Sequence, residues 1–292
     1  WDKLHFSQII MPTNYNNGLP DEHHTYSDPS WEVGLEYQPN PELLTYVKTR
    51  GSFRAGGFNG ARIPAIAPGN EFKSEHTQDI EAGVKYNGTL GGRPLTLNLD
   101  VFHQWVQDVR RVEFPSGGGA TAKGPSQTVQ GIEGDFSFKA SDWFEIGGQA
   151  AFVKARYPNG NVVLFGTPYK YGPVADTPKF TGVFYAQAKL PIPSDMGEMS
   201  LRGEVYGQSG QWFSNEGDTL IPDTRLPGYT LLSGRLNWNR VMGTPVSAAL
   251  FGKNLGNKAY FVGGMPLGGV LGHNSAAVGE PRTYGMELSV EF

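Results

Sequence analysis

The residues best suited to chemistry in this sequence are cations set beside aromatic rings in stretches rich in Gly, Pro and Asn. They are Arg54, Phe58 and Arg62; Arg110, Arg111 and Phe114; Tyr157, Tyr169, Lys170 and Tyr171; Trp212 and Phe213; and Tyr260, Phe261 and His273. A guanidinium offsets the charge of an anionic ligand while a ring covers its flat apolar faces, so these groups suit non-covalent recognition of an anionic, aromatic molecule. The competing use of such residues is to pack loops against one another. Covalent chemistry has weaker support. Gly207-Gln208-Ser209-Gly210-Gln211 misses the G-x-S-x-G elbow at its last position and lies inside an extended segment. His5, His76 and His103 are far apart in sequence, with no evident acid or serine partner, and no catalytic residue is assigned. His23-His24 beside Asp21 and Glu22 has metal-ligand chemistry, but adjacent side chains of an extended segment point opposite ways, and a solvated loop is the expectation. Gly117-Gly118-Gly119 lacks the Lys-Ser/Thr ending of a phosphate loop. Asn87-Gly88-Thr89 has the form of a glycosylation sequon within an expected short turn. No metal and no cofactor is assigned.

The elements that must position these groups are strands. The last ten residues alternate without a break: Tyr284, Met286, Leu288, Val290 and Phe292 share one face, and Thr283, Gly285, Glu287, Ser289 and Glu291 the other. Period-2 segments recur back along the chain, about twelve in all, at roughly 3–11, 31–38, 43–54, 76–86, 94–109, 127–139, 143–155, 178–190, 199–212, 228–238, 246–254 and 281–292. Charges keep to one face: Arg235 falls opposite Leu232, Gly234, Leu236 and Trp238, and Lys85 opposite Ile80, Ala82, Val84 and Tyr86. That segregation is what lipid demands, since a Lys or Arg on a lipid face near the midplane costs about 2–4 kcal/mol.

The connections alternate in length. Short turns are expected at 38–42, 87–93, 140–142, 191–198 and 239–245, and long loops near 12–30, 55–75, 110–126, 156–177, 213–227 and 255–280, the asymmetry of an outer-membrane barrel with short periplasmic turns and long extracellular loops. Trp31, Tyr37, Tyr46, Trp105, Trp143, Trp212, Tyr229, Trp238 and Tyr284 are candidates for the two interfacial aromatic girdles. The composition agrees: 40 Gly, 17 Phe, 13 Tyr, 6 Trp and only 18% charged residues in 292 suit many turns and half-exposed strands, and no apolar run reaches the length of a spanning helix. A net charge of −4 gives no reason to expect nucleic acid, and the lack of cysteine excludes disulfides and thiolate sites. The N-terminal residues show no signal-peptide pattern, so the chain is expected to be processed or part of a longer one, the latter being favoured.

Four motifs resemble one family. Gly51-Ser52-Phe53-Arg54-Ala55-Gly56-Gly57-Phe58-Asn59, Asp79-Ile80-Glu81-Ala82-Gly83-Val84-Lys85-Tyr86, Lys253-Asn254-Leu255-Gly256-Asn257-Lys258-Ala259-Tyr260 and the closing strand from Arg282 are similar to elements of TonB-dependent outer-membrane receptors. The resemblance implies an all-β fold: a transmembrane antiparallel β-barrel in which residues 1–292 are one C-terminal portion, about the last twelve strands of a 22-stranded barrel, with the plug domain lying outside this sequence. It further implies active uptake of a scarce ligand across the bacterial outer membrane, a ferric siderophore being the commonest cargo beside haem, cobalamin and sugars. The implied partners are TonB, through an N-terminal segment, and the lipid and lipopolysaccharide of that membrane. Ligand contact is implied at the extracellular mouth, where Arg54, Phe58, Arg110, Arg111, Tyr169, Tyr171, Trp212, Phe213, Tyr260 and His273 are the candidates. Two alternatives stay open: a self-contained twelve-stranded outer-membrane barrel, hydrolase or secretion translocator, and a soluble carbohydrate-binding sandwich.

Overall fold

The computed structural model describes residues 2–6, 22–58, 71–113, 120–164, 167–217 and 221–291. Eleven strands form one continuous antiparallel sheet, each pairing with its neighbours along the chain in a simple up-and-down meander. They are β1 (Trp31–Asn40), β2 (Leu43–Arg54), β3 (Glu75–Leu90), β4 (Arg93–Gln107), β5 (Gln127–Phe138), β6 (Phe144–Arg156), β7 (Phe180–Leu190), β8 (Glu198–Gln208), β9 (Tyr229–Asn239), β10 (Val246–Lys253) and β11 (Thr283–Val290). The sheet is open, with β1 and β11 at its edges.

Eleven of the expected strands are therefore present, and the first is not among them. Asp2–Phe6 instead pairs with Glu22–Tyr26 in a separate two-stranded ladder, which also converts the loop expected around His23-His24 into a strand. Residues 7–11 of that expected strand, and Phe292 of the last, lie outside the described residues. The expected 87–93 turn is also shorter: β3 runs on to Leu90, because Gly91 and Gly92 both take positive φ and close a two-residue hairpin that pairs Leu90 with Arg93. Asn87-Gly88-Thr89 is thus strand, not turn. At the β1–β2 turn the Asn40 side chain does the equivalent work, accepting the backbone N–H groups of Glu42 and Leu43.

Register settles what each face carries. Leu35, Val47, Ala82, Val101, Ile132, Phe152 and Phe180 are directly opposed across β1 to β7, so they form one transverse apolar row. Leu201, Leu236, Leu250 and Met286 do the same across β8 to β11. No protein layer covers this face: Leu35 is 74% exposed, Phe152 57% and Met286 65%. A face of exposed Val, Leu, Ile, Met and Phe with no covering layer among the described residues is the reverse of a soluble sandwich and the requirement of a lipid-facing wall.

The opposite face is polar and internally paired. Lys48 and Arg50 on β2 meet Glu81 and Asp79 on β3 at 2.8–3.0 Å, and Tyr46 donates to Glu81 at 2.7 Å. Farther round, Asn98 donates to Asp135, Tyr185 to Glu145, the Arg202 guanidinium lies 3.6 Å from the Tyr185 ring centre, and Arg235 pairs with Glu287. Tyr46 was a girdle candidate on composition, but it shares this face with Lys48 and Arg50. Trp212 and Tyr229 also leave the girdle set, the first in a loop ladder with Arg225 and the second opposite Gln208. Trp31, Trp105 and Tyr284 remain at the long-loop end of the sheet, and Tyr37, Trp143 and Trp238 at the short-turn end.

Seven aromatic rings lie over the glycine directly opposite them on the next strand: Trp31 over Gly51, Tyr46 over Gly83, Phe102 over Gly131, Tyr185 over Gly147, Phe184 over Gly148, Phe251 over Gly285 and Tyr284 over Gly252. A Cβ would overlap the ring at six of these glycines and crowd it at Gly252. The ring in turn shields backbone that glycine leaves bare.

Candidate functional site

The long connections all leave the same end of the sheet: residues 55–74, 108–126, 157–179, 209–228 and 254–282. The short ones, at 41–42, 91–92, 139–143, 191–197 and 240–245, leave the other. The long-loop end brings the cation and aromatic candidates into two clusters and leaves others apart.

The first cluster holds Arg54 and Arg110. Arg110 donates through Nη2 to the Arg54 carbonyl at 3.1 Å, its guanidinium carbon lies 4.7 Å from the Phe72 ring centre, and Glu75 accepts its backbone N–H. Burial and the neighbouring Arg54 charge lower the Arg110 pKa from the usual arginine value. Its buried Nε has no hydrogen-bond partner among the described residues. Beside it, Tyr26 donates to Glu71, and burial together with that carboxylate raises the tyrosine's pKa. His24 stacks on Tyr26 and lies 3.1 Å from Glu71, but no group of three metal-ligating residues exists among the described residues.

The second cluster joins three loops. Arg111 donates to the Tyr157 hydroxyl at 2.9 Å and to Gln127 at 2.7 Å. The Tyr157 ring meets that of Tyr171 at a tilt, centres 5.1 Å apart, and its hydroxyl donates to Asn215 Oδ1 at 2.7 Å. The same Asn215 oxygen accepts the N–H of Ala175, and the Asn215 backbone carbonyl accepts that of Gly172. One asparagine thus ties the loops after β6 and β8, and Tyr157 joins to them the Arg111 of the loop after β4. Nothing in the sequence neighbourhood of Asn215 marks it, because a lone Asn in a turn-rich stretch is common and its partners are remote in sequence.

The remaining candidates pack elsewhere. Tyr171 and Phe213 are buried, the latter against Gly264, and Trp212 packs on Gly217. Tyr260 packs at a tilt against Tyr229, ring centres 4.5 Å apart, and Tyr229 against Tyr206 at 5.9 Å. His273 is exposed, its Nδ1 3.1 Å from the Leu271 carbonyl. Phe58 and Tyr169 are placed by backbone pairing alone, opposite Glu71 and Val162. Arg62, Phe114 and Gly117-Gly118-Gly119 lie outside the described residues. Ser209 is occupied as a strand-end cap, its hydroxyl accepting the N–H of Phe180.

The Lys253–Tyr260 motif gains a physical reason. Asn254 takes a left-handed backbone (φ 48°), is buried, donates to the carbonyls of Lys258 and Glu280 and accepts the N–H of Lys258. Asn257, also left-handed, accepts the N–H of Arg282. Two asparagines therefore fasten the start of the last long loop to its end, where β11 begins.

A sequence profile described as TonB dependent receptor-like, beta-barrel, matches residues 5–255. Among solved structures, the ferric yersiniabactin uptake receptor FyuA from Yersinia pestis superposes with a TM-score of 0.72 at 15% identity, over 89% of this chain and 37% of that one. BauA, the ferric preacinetobactin receptor from Acinetobacter baumannii, gives 0.68 at 22% identity over 94% and 37%, and the ferric citrate transporter FecA 0.68 at 18% over 94% and 39%. At these identities the likeness is one of fold, and the chain spans well under half the length of each of those structures. With the profile covering most of its residues and the sheet superposing on such barrels, the chain belongs to the TonB-dependent receptor β-barrel family.

Proposed function

We infer that these residues are the C-terminal portion of the barrel of a TonB-dependent uptake receptor in the bacterial outer membrane, carrying a ferric siderophore inward. Two open strand edges in lipid would leave backbone groups unsatisfied at several kcal/mol each, which supports pairing of β1 and β11 with further strands of the same protein. The polar face then lines the lumen, and the long loops form the mouth.

The observation that carries the cargo reading is Arg110, which lies over Phe72 and donates to the Arg54 backbone carbonyl, with the Arg54 charge close enough to lower its pKa. Two neighbouring cations, one with a buried N–H that has no partner among the described residues, disfavour each other's charged form; the Glu75 carboxylate offsets this in part, and an anion with a flat apolar surface would offset it further while packing beside the Phe72 ring. An anionic ferric chelate has both properties. Arg111, held by Tyr157 and Gln127, adds a third positive charge in the same loops. TonB would act on a segment outside these residues, so the barrel portion needs no covalent chemistry of its own.

The test is equilibrium binding to the intact receptor in detergent, by tryptophan fluorescence, across ferric catecholate, hydroxamate and citrate chelates, haem and cobalamin. One anionic iron chelate should bind, and Arg110→Ala should weaken it about tenfold or more, as expected for a charge-assisted contact. Binding of cobalamin or haem alone, or an unchanged affinity in Arg110→Ala, would overturn the reading.

A further inference from the structure

Glu75, the first residue of β3, is in contact with both arginines of the first cluster by a different route. It is directly opposed to Arg54 across β2 and β3, so the two side chains leave the same face of the ladder. One of its carboxylate oxygens accepts the Arg110 backbone N–H at 2.8 Å. Burial and then the Arg54 charge push the Arg110 pKa down, and the Glu75 charge pulls it back up. The other carboxylate of the cluster is committed elsewhere: Glu71 accepts the Tyr26 hydroxyl at 2.9 Å and lies 3.1 Å from His24. Glu75 is half-buried, which keeps its charge effective over the short distance to its neighbours.

We propose that Glu75 sets the selectivity of this site, holding off small inorganic anions so that a broad, ring-bearing anion is preferred. The proposal rests on reading the Arg110 cluster as an anion site and assigns the discriminating residue within it. A carboxylate beside two guanidiniums offsets their field and repels an incoming anion in proportion to the charge brought near it. Phosphate and pyrophosphate hold their charge in a compact volume and gain nothing from an aromatic surface, so they meet that repulsion in full. A broad anion spreads the same charge farther from Glu75 and gains contact with the Phe72 ring, over which Arg110 already lies. The bond to the Arg110 N–H gives the same carboxylate a positioning role. Substitution separates the two roles: Gln keeps an acceptor oxygen and loses the charge, whereas Ala loses both.

The probe is inorganic pyrophosphate, titrated at fixed ionic strength into the intact receptor in neutral detergent and followed by phosphorus NMR line broadening. Glu75→Gln should tighten pyrophosphate binding about tenfold, since one repelling charge is removed at close range, and adding Arg110→Ala should erase the gain. Amide exchange at Arg110 should stay near native in Glu75→Gln and rise about fivefold in Glu75→Ala, for one lost acceptor bond. Glu42→Gln, at the short-turn end, should change neither. Equal pyrophosphate affinity in the Glu75→Gln and native receptors, or a gain that survives Arg110→Ala, would overturn the proposal. No ferric chelate enters this titration, so a failed cargo reading and a failed role for Glu75 are separate results.

Discussion

Replacing Leu99 by arginine should damage this protein far more than replacing its neighbour Asn98 by the same residue. Leu99 is mid-strand in β4, 42% exposed, and opposed by Val84 on one side and Gly134 on the other. Leu97 and Val101, its neighbours on the same face, are also apolar, so a guanidinium there finds no partner within the wall. The cost near a bilayer midplane is about 2–4 kcal/mol, or roughly 30- to 700-fold in the folded-to-unfolded ratio. Asn98 points the other way, where it donates to Asp135 at 3.0 Å, with Asp100 two residues along on the same face. An arginine there meets two carboxylates, and the change should stay within about 0.5 kcal/mol. Both variants are made in the intact receptor, folded into phospholipid vesicles and unfolded in urea, with the folded fraction read by heat-modifiable gel mobility. Equal shifts in the two midpoints, or a larger one for Asn98→Arg, would refute the assignment of faces on which the rest depends.

Asn254→Ala removes three hydrogen bonds and leaves a side chain at positive φ, so it should cost about 3–5 kcal/mol in the same unfolding assay, with Asn254→Gly recovering only the backbone share. An Ala variant within error of wild type would show that the β10–β11 loop is held some other way. Asn215→Ala should speed amide exchange at Ala175 about fivefold, for one lost acceptor bond of about 1 kcal/mol, whereas Asn215→Asp keeps the oxygen and should stay near wild type. Exchange unchanged in the Ala variant would remove Asn215 as the tie between loops.

The sheet was legible in the sequence because lipid on one side and water on the other impose a period of two, and Leu95, Leu97, Leu99 and Val101 keep it without exception. Strand ends were less so: Gly91-Gly92 permits a hairpin tighter than the composition around it suggested, and only the backbone angles reveal where pairing stops. Tyr46 was misplaced when read by residue type, although its parity with Lys48 and Arg50 already put it on the polar face. The loop clusters were legible as types but not as assemblies. Arg110 and Arg111 are adjacent in sequence yet serve different clusters, since an extended ladder sends successive side chains to opposite sides. Asn215 and Asn254 differ in the same way: the second sits in a recurring motif, while the first works through partners tens of residues distant.

The rings laid over glycines have a consequence for the width of the conduit. Tyr46, Phe102, Tyr185 and Phe251 are all on the polar face, and the far end of each ring rests on the opposing strand rather than standing up from its own. Four bulky side chains thus occupy the thickness of the wall, and the clearance inside is set by shorter groups and by whatever fills the bore. A side chain added at Gly83 or Gly147 would tip a tyrosine off the wall, raising a ring that lies flat on the polar face into the space before it.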